Sequence, residues 1–128
     1  MKVSKLEKPK NGENRVESST ALVSARELYE EAIKTWGADF QLEQFIEECA
    51  EAILAVKHLK RFQNKESKEN FIESLADLEI MLDQMKILAK REATGETVEE
   101  AKTRKLQVLD QYLKEYHAKQ SKPRTKSK

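Results

Sequence analysis

Three observations in the sequence predict an all-α protein, four-helix bundle-like, with its two central helices paired as an antiparallel hairpin. Charged residues make up 37% of the 128 positions and aromatics only 6%, a balance that suits amphipathic helices better than a β-sandwich. Three glycines and two prolines leave too few turn signals for many short strands. Apolar residues recur at three- and four-residue spacing over most of the chain, the period of a helix with one buried stripe.

Each element can be justified in order. Residues 1–20 are polar and show no apolar period, so they read as a disordered N-terminal segment. A first helix is expected from near Ser24 to Trp36, because Ser24 and Glu27 have capping-box spacing and Gly37 stands where a C-terminal stop belongs. The second helix is expected from about Asp39 to Arg61 or Phe62, with Leu42, Phe45, Ile46, Cys49, Ile53 and Val56 as its stripe. The polar stretch QNKES (63–67) breaks it. A third helix follows from about Ser67 to Arg91, with Phe71, Leu75, Leu78, Leu82, Met85 and Ala89 as its stripe, and Gly95 ends that segment. Thr97 and Glu100 repeat the capping-box pattern and open a fourth helix carrying Val98, Leu106, Leu109, Leu113 and Tyr116. The folded domain is expected over 21–118, with a basic disordered tail over 119–128.

Charge is unevenly distributed along the chain. The net charge is +1, from 24 basic and 23 acidic residues. Residues 1–20 hold five of the basic and three of the acidic ones, and 119–128 hold five basic and none acidic. The remaining 14 basic and 20 acidic residues leave 21–118 at −6. Phosphate-backbone affinity needs a basic face on the domain itself, so nucleic acid is not the expected partner. Cys49 is the single cysteine, which excludes an internal disulfide and fits a reducing, cytoplasmic setting. The first residues carry no apolar leader, and no run approaches the roughly 18 apolar residues of a membrane span.

The stretch FIEECAEAI (45–53) places Glu47, Glu48 and Glu51 within five positions of a helix. Glu48 and Glu51 lie about 60° apart around the axis and Glu47 and Glu51 about 40° apart, on a side away from the centre of the apolar stripe. Glu73 and Asp77 repeat the arrangement on the third helix. Folding the two helices around a break near Lys65 puts Glu51 and Asp77 at roughly 21 and 18 Å from the turn, at nearly one level. Two carboxylates about 5 Å apart repel by roughly 3 kcal/mol at an effective dielectric near 20, so a converging set implies protonation or a cation. Oxygen-only ligands select Mg²⁺, Mn²⁺ or Ca²⁺ rather than zinc. A merely solvated acidic face is the alternative.

These motifs resemble the MazG-like nucleotide pyrophosphohydrolases of the all-α NTP pyrophosphatase superfamily. Their E-x-x-E motif matches Glu48 and Glu51, and the aspartate of their E-x-x-D motif matches Asp77. The flanks Trp36–Gly37, Gln41, KHLKR (57–61) and ADLEIMLDQMKIL agree, so that the likeness covers about 32–88. The pattern's glutamate falls at position 74, which is Ser74. Fewer bound ions, use of Glu73 instead, or lost activity all remain open on that departure.

The resemblance implies Mg²⁺-dependent hydrolysis of a nucleoside triphosphate (Mn²⁺ being a possible substitute) to the monophosphate and pyrophosphate. Glu48, Glu51 and Asp77 would hold the metal, and Glu47 or Glu73 would orient or deprotonate the water. Lys57 and Arg61 are candidates for neutralising the phosphates, or else an ordinary basic helix end. Trp36 and Phe40 are candidates for stacking on the base, with core or interface packing as the alternative. The sequence assigns nothing to His58 or His117. A homodimer or homotetramer is implied, and apolar residues off the main stripes, such as Ile80 and Ile87, point the same way. The rival expectation is a non-catalytic helical protein that binds a partner, or a degenerate relative that binds nucleotide without turnover.

Overall fold

The computed structural model describes residues 23–123. It comprises four α-helices, α1 (Ala25–Trp36), α2 (Ala38–Phe62), α3 (Lys65–Glu92) and α4 (Val98–Gln120), with no strand among the described residues. The expected disordered segment over 1–20 lies outside them, as do residues 124–128 of the basic tail. Lys119 and Gln120, expected in that tail, instead complete α4, and the Ser121 N–H donates to the His117 carbonyl to close the last turn.

Local chemistry sets the helix ends. Ser24 Oγ accepts from the Glu27 N–H at 3.2 Å, and the Glu27 carboxylate accepts from the Ser24 N–H at 2.9 Å, so both orphan donors of the first turn are used. These bonds, the backbone one foremost, hold the Glu27 carboxyl below its ordinary range. Gly37 closes α1 with φ 87° and ψ 157°, and its N–H donates to the Ile33 carbonyl. That backbone region is open almost only to glycine. α2 ends at Gln63, which adopts the left-handed conformation (φ 49°) and donates to the Leu59 carbonyl.

The start of α3 has a cap that the sequence reading missed. Asn64 Oδ1 accepts from the Ser67 N–H at 2.8 Å, and Ser67 Oγ accepts from the Asn64 N–H at 3.1 Å. This reciprocal pair begins the helix at Lys65, two residues ahead of the expected Ser67.

The chain divides into two compact units, with the boundary inside α3 between Leu88 and Ala89. In the first unit α2 and α3 pack most extensively. The cavities between them show an antiparallel pairing, because later α2 residues meet earlier α3 residues.

The buried face of that hairpin differs from the expected one. α2 buries Gln41, Glu48, Ala52 and Ala55, and α3 buries Ser67, Asp77, Met81 and Gln84. The expected stripe residues Leu42, Ile46, Ile53, Val56, Leu75 and Leu82 are all exposed. The inner face mixes small side chains (Ala52, Ala55, Ser67) with longer ones (Gln41, Glu48, Met81, Gln84). In α2, Leu42, Ile46, Ile53 and Val56 fall within an arc of about 80° centred about 120° from Glu48, and in α3 Leu75, Leu78, Leu82 and Met85 stand in the same relation to Asp77. Equal rotations on antiparallel helices bring both stripes to one side of the hairpin. The stripes are therefore real and coherent, but they form an outer apolar face.

In the second unit, Thr97 and Glu100 form the expected capping box, with the Thr97 N–H donating to Glu100 at 2.8 Å and the Glu100 N–H to Thr97 Oγ1 at 3.2 Å. Arg104 grips Glu96 with two parallel bonds, at 3.0 and 2.9 Å. That fork holds the Glu96 carboxyl below its ordinary range. No residue of α4 is buried, and Leu106, Leu109, Tyr112, Leu113 and Tyr116 are all exposed.

Candidate functional site

α2 and α3 bring Glu51, Glu73 and Asp77 together in a cleft of about 450 Å³, lined also by Leu54, Ala55, His58, Asn70 and Ser74. Asp77 is only 7% exposed and shares the cleft lining with Ala55 of α2. Glu51 lies about 60° from Glu48, and Glu73 about 40° from Asp77, both in the sense opposite to the apolar stripes. The cleft thus opens on the side of the hairpin opposite its apolar face.

Electrostatics reflect this crowding. Burial, followed by the charges of Glu51 and Glu73, pushes the Asp77 carboxyl above its ordinary range. A raised carboxyl means that the folded chain holds the Asp77 proton more tightly than the unfolded chain does. Glu48 sits one turn before Ala52 and is only 1% exposed, the largest fully buried side chain among the described residues. An ionised carboxylate at that depth is costly unless compensated.

The structure separates the residues singled out in the sequence. Glu51, Glu73 and Asp77 share the cleft, and Glu48 lies in the helix interface beside it. Glu73 and Ser74 both line the α3 wall of the cleft. Glu47 is exposed and lies outside the lining, as do Lys57 and Arg61. Arg61 rests over the Phe62 ring at 5.2 Å. Trp36 is half exposed and leans toward Phe40, with ring centroids 6.4 Å apart. Among the described residues, no three His, Cys, Asp or Glu side chains are gathered closely enough to hold a metal ion. Glu51, Glu73 and Asp77 offer only carboxylate oxygens, the donor type that hard divalent cations take.

Several cleft residues were passed over in the sequence. His58, two turns beyond Glu51, lines the cleft although it has no ligand-spaced partner in the chain. Asn70 reaches the same cavity from α3. Seven-residue steps from Glu51 and from Asp77 give these two positions, a signal that becomes readable once the inner face is known. Gln84, also buried, places Nε2 at 3.7 Å from Met81 Sδ, and its Oε1 has no hydrogen-bond partner. No helix among the described residues is long and apolar enough to cross a membrane.

Compared with protein-family models, with curated proteins and with solved structures, the chain matches none at significance.

Proposed function

We propose that the α2–α3 hairpin is the catalytic unit of a Mg²⁺-dependent nucleoside triphosphate pyrophosphohydrolase that works as a homodimer or homotetramer. The observation that carries this reading is Asp77, a buried carboxylate whose proton affinity is raised by burial and by the facing Glu51 and Glu73. Such crowding is a disadvantage in a purely structural interface and an advantage around a cation. The likeness of Glu48, Glu51 and Asp77 to the MazG-like motifs supports the same assignment.

In this reading Glu51 and Asp77 in the cleft, joined by Glu48 from the interface beside it, would hold the ion, and Glu73 would face the reacting water. Magnesium, when bound by these carboxylates, would supply neutralisation of the phosphate oxygens and of the charge built up in the displacement. Water adds to the α-phosphorus, the bond to the β-phosphate oxygen breaks, and pyrophosphate leaves with the electron pair. Glu73 takes the proton of the water. Glu47, exposed and off the cleft wall, is the weaker of the two candidates for this role. Lys57 and Arg61 add positive potential near the hairpin end without lining the cleft.

The outer apolar face supports the oligomer. Ile46 and Ile53, at 60% and 61% exposed, belong to a contiguous stripe spanning both helices, and such patches mark interaction surfaces. The same exposure favours the rival reading, a partner-binding helical protein without catalysis. Pyrophosphate release from a panel of NTPs and dNTPs with Mg²⁺, measured beside Asp77→Asn, decides between them. Release that disappears in the variant establishes the enzyme. A folded protein that releases none from any nucleotide establishes the rival.

A further inference from the structure

The acidic cleft continues toward the hairpin turn. A second cavity, of about 280 Å³, is lined by His58, Phe62, Asn64, Glu66, Ser67 and Asn70. His58 and Asn70 line both cavities, so they form the shared wall between an acidic compartment and one of different chemistry. Together the two volumes reach the size of a small-molecule site.

The second compartment is a poor place for phosphate. The Ser67 and Asn64 N–H groups at the start of α3 already donate to Asn64 Oδ1 and Ser67 Oγ, which removes donors that a helix N-terminus would otherwise offer an anion. Glu66 adds a carboxylate to the wall, and the other end of the cavity is formed by the C-terminal turns of α2, whose dipole is negative. The rest of the lining offers an amide and two rings. The Asn70 amide offers both a donor and an acceptor, and the His58 and Phe62 rings meet edge to face with centroids 5.7 Å apart, an apolar border for a flat heterocycle.

We propose that this compartment seats the nucleoside end of the substrate, with the base edge read by Asn70 and its ring set against His58 and Phe62. The proposal rests on the pyrophosphohydrolase reading and gives it a direction. Phosphates lie at Glu51, Glu73 and Asp77, and the nucleoside points to the turn at Asn64. His58 stands about 10.5 Å along the α2 axis from Glu51, a separation suited to groups at opposite ends of one nucleotide. The assignment moves base recognition away from Trp36 and Phe40. Phe40 stands about 16 Å along the α2 axis from Glu51, in the direction away from the turn.

The test is a kinetic comparison of His58→Ala, Asn70→Ala and Trp36→Ala with the unmodified chain. It measures hydrolysis of the preferred nucleotide and inhibition by Mg²⁺-bound inorganic tripolyphosphate, which has phosphates but no nucleoside. His58 and Asn70 are exposed, so the variants should keep the helical circular-dichroism signal, which is checked first. The expected result is a rise in KM of about tenfold for each of the first two variants, the size of one lost hydrogen bond or ring contact. Little change in kcat and unchanged tripolyphosphate inhibition should accompany it. Weakening of tripolyphosphate in step with the nucleotide would make the compartment a phosphate site and overturn the assignment. So would a loss of base preference in Trp36→Ala alone. If the unmodified chain neither hydrolyses a nucleotide nor binds tripolyphosphate with Mg²⁺, the parent reading falls and this assignment with it, a result distinct from the other two.

Discussion

The two sides of the α2–α3 hairpin are built on opposite principles. One side holds Glu51, Glu73 and Asp77 around a cleft, above an inner face of Glu48, Ala52, Ala55 and Ser67. The other displays Leu42, Ile46, Ile53, Leu75 and Leu82 to solvent. An isolated hairpin would gain more by rotating each helix through about 120° and burying the leucines and isoleucines, at about 25 cal/mol per Å² of apolar surface. Its actual rotation makes sense when the polar face binds something and the apolar face meets another surface.

The sharpest way to break this contrast is to remove the charge at its centre. Asp77→Asn should lower the hydrolysis rate by roughly two to three orders of magnitude, the loss typical when one preorganised charge-stabilising group is deleted. The same variant should melt at a higher temperature than the parent when divalent cations are absent. The sign follows from the raised Asp77 carboxyl. Stability is greatest with that group protonated and falls as pH rises from the ordinary aspartate range through the raised value. Acidifying the cation-free protein through that window should stabilise it, and in Asp77→Asn this component of the pH dependence should vanish. A variant that melts lower at neutral pH would show that Asp77 is a structural partner rather than a crowded ligand.

Attacking the other side comes next in size. Under the proposed oligomer, Ile46→Asp combined with Ile53→Asp should give monomers on light scattering where the unmodified chain gives a larger mass, while leaving helical content unchanged. An unaltered molar mass would remove the apolar face from the assembly. Third, Mg²⁺ at one hundred times its dissociation constant should stabilise the fold by about 2.7 kcal/mol, a rise in melting temperature of roughly 10–20 °C for a unit of this size. Chelation should reverse it, and a protein indifferent to Mg²⁺ would favour the partner-binding reading.

Away from the contrast the effects shrink. Gly37→Ala places a side chain at φ 87° and should cost about 1–3 kcal/mol through backbone strain alone, read from chemical denaturation. There is open space around that position, so a neutral result would have to come from a shift in the backbone. Glu96→Gln should barely move the melting temperature and should abolish whatever salt dependence the Arg104 fork contributes, since both partners are solvated.

How much of this could be read in the sequence depends on the range of the interaction. The caps at Ser24 and Thr97 act over three residues and were legible in full, down to the glutamate that completes each box. The cap at Asn64 acts over the same distance but uses Asn and Ser, a weaker pattern, and α3 was started two residues late. The stripes on α2 and α3 were also legible as periodicities. Which stripe faces inward was not, because a period reports that a face exists and not what covers it. Assigning the apolar stripe to the core assumed a self-sufficient chain. The meeting of Glu51 with Asp77 in one cleft is legible from their similar distances to the turn, which rigid helices preserve. His58 and Asn70 stayed hidden because their importance depends on the rotation of both helices.

The three capping motifs carry a consequence for the order of folding. Each is complete within three residues of chain, so the starts of α1, α3 and α4 can form before any distant segment arrives, and the antiparallel pairing of α2 with α3 adds contacts of short loop length around Gln63. Such a topology folds rapidly, on the microsecond-to-millisecond scale. If a second copy covers the outer apolar stripe, as proposed, that burial has to wait for collision. Refolding from denaturant should then show a helix-forming phase with a rate independent of protein concentration, followed by a slower phase that accelerates in proportion to it.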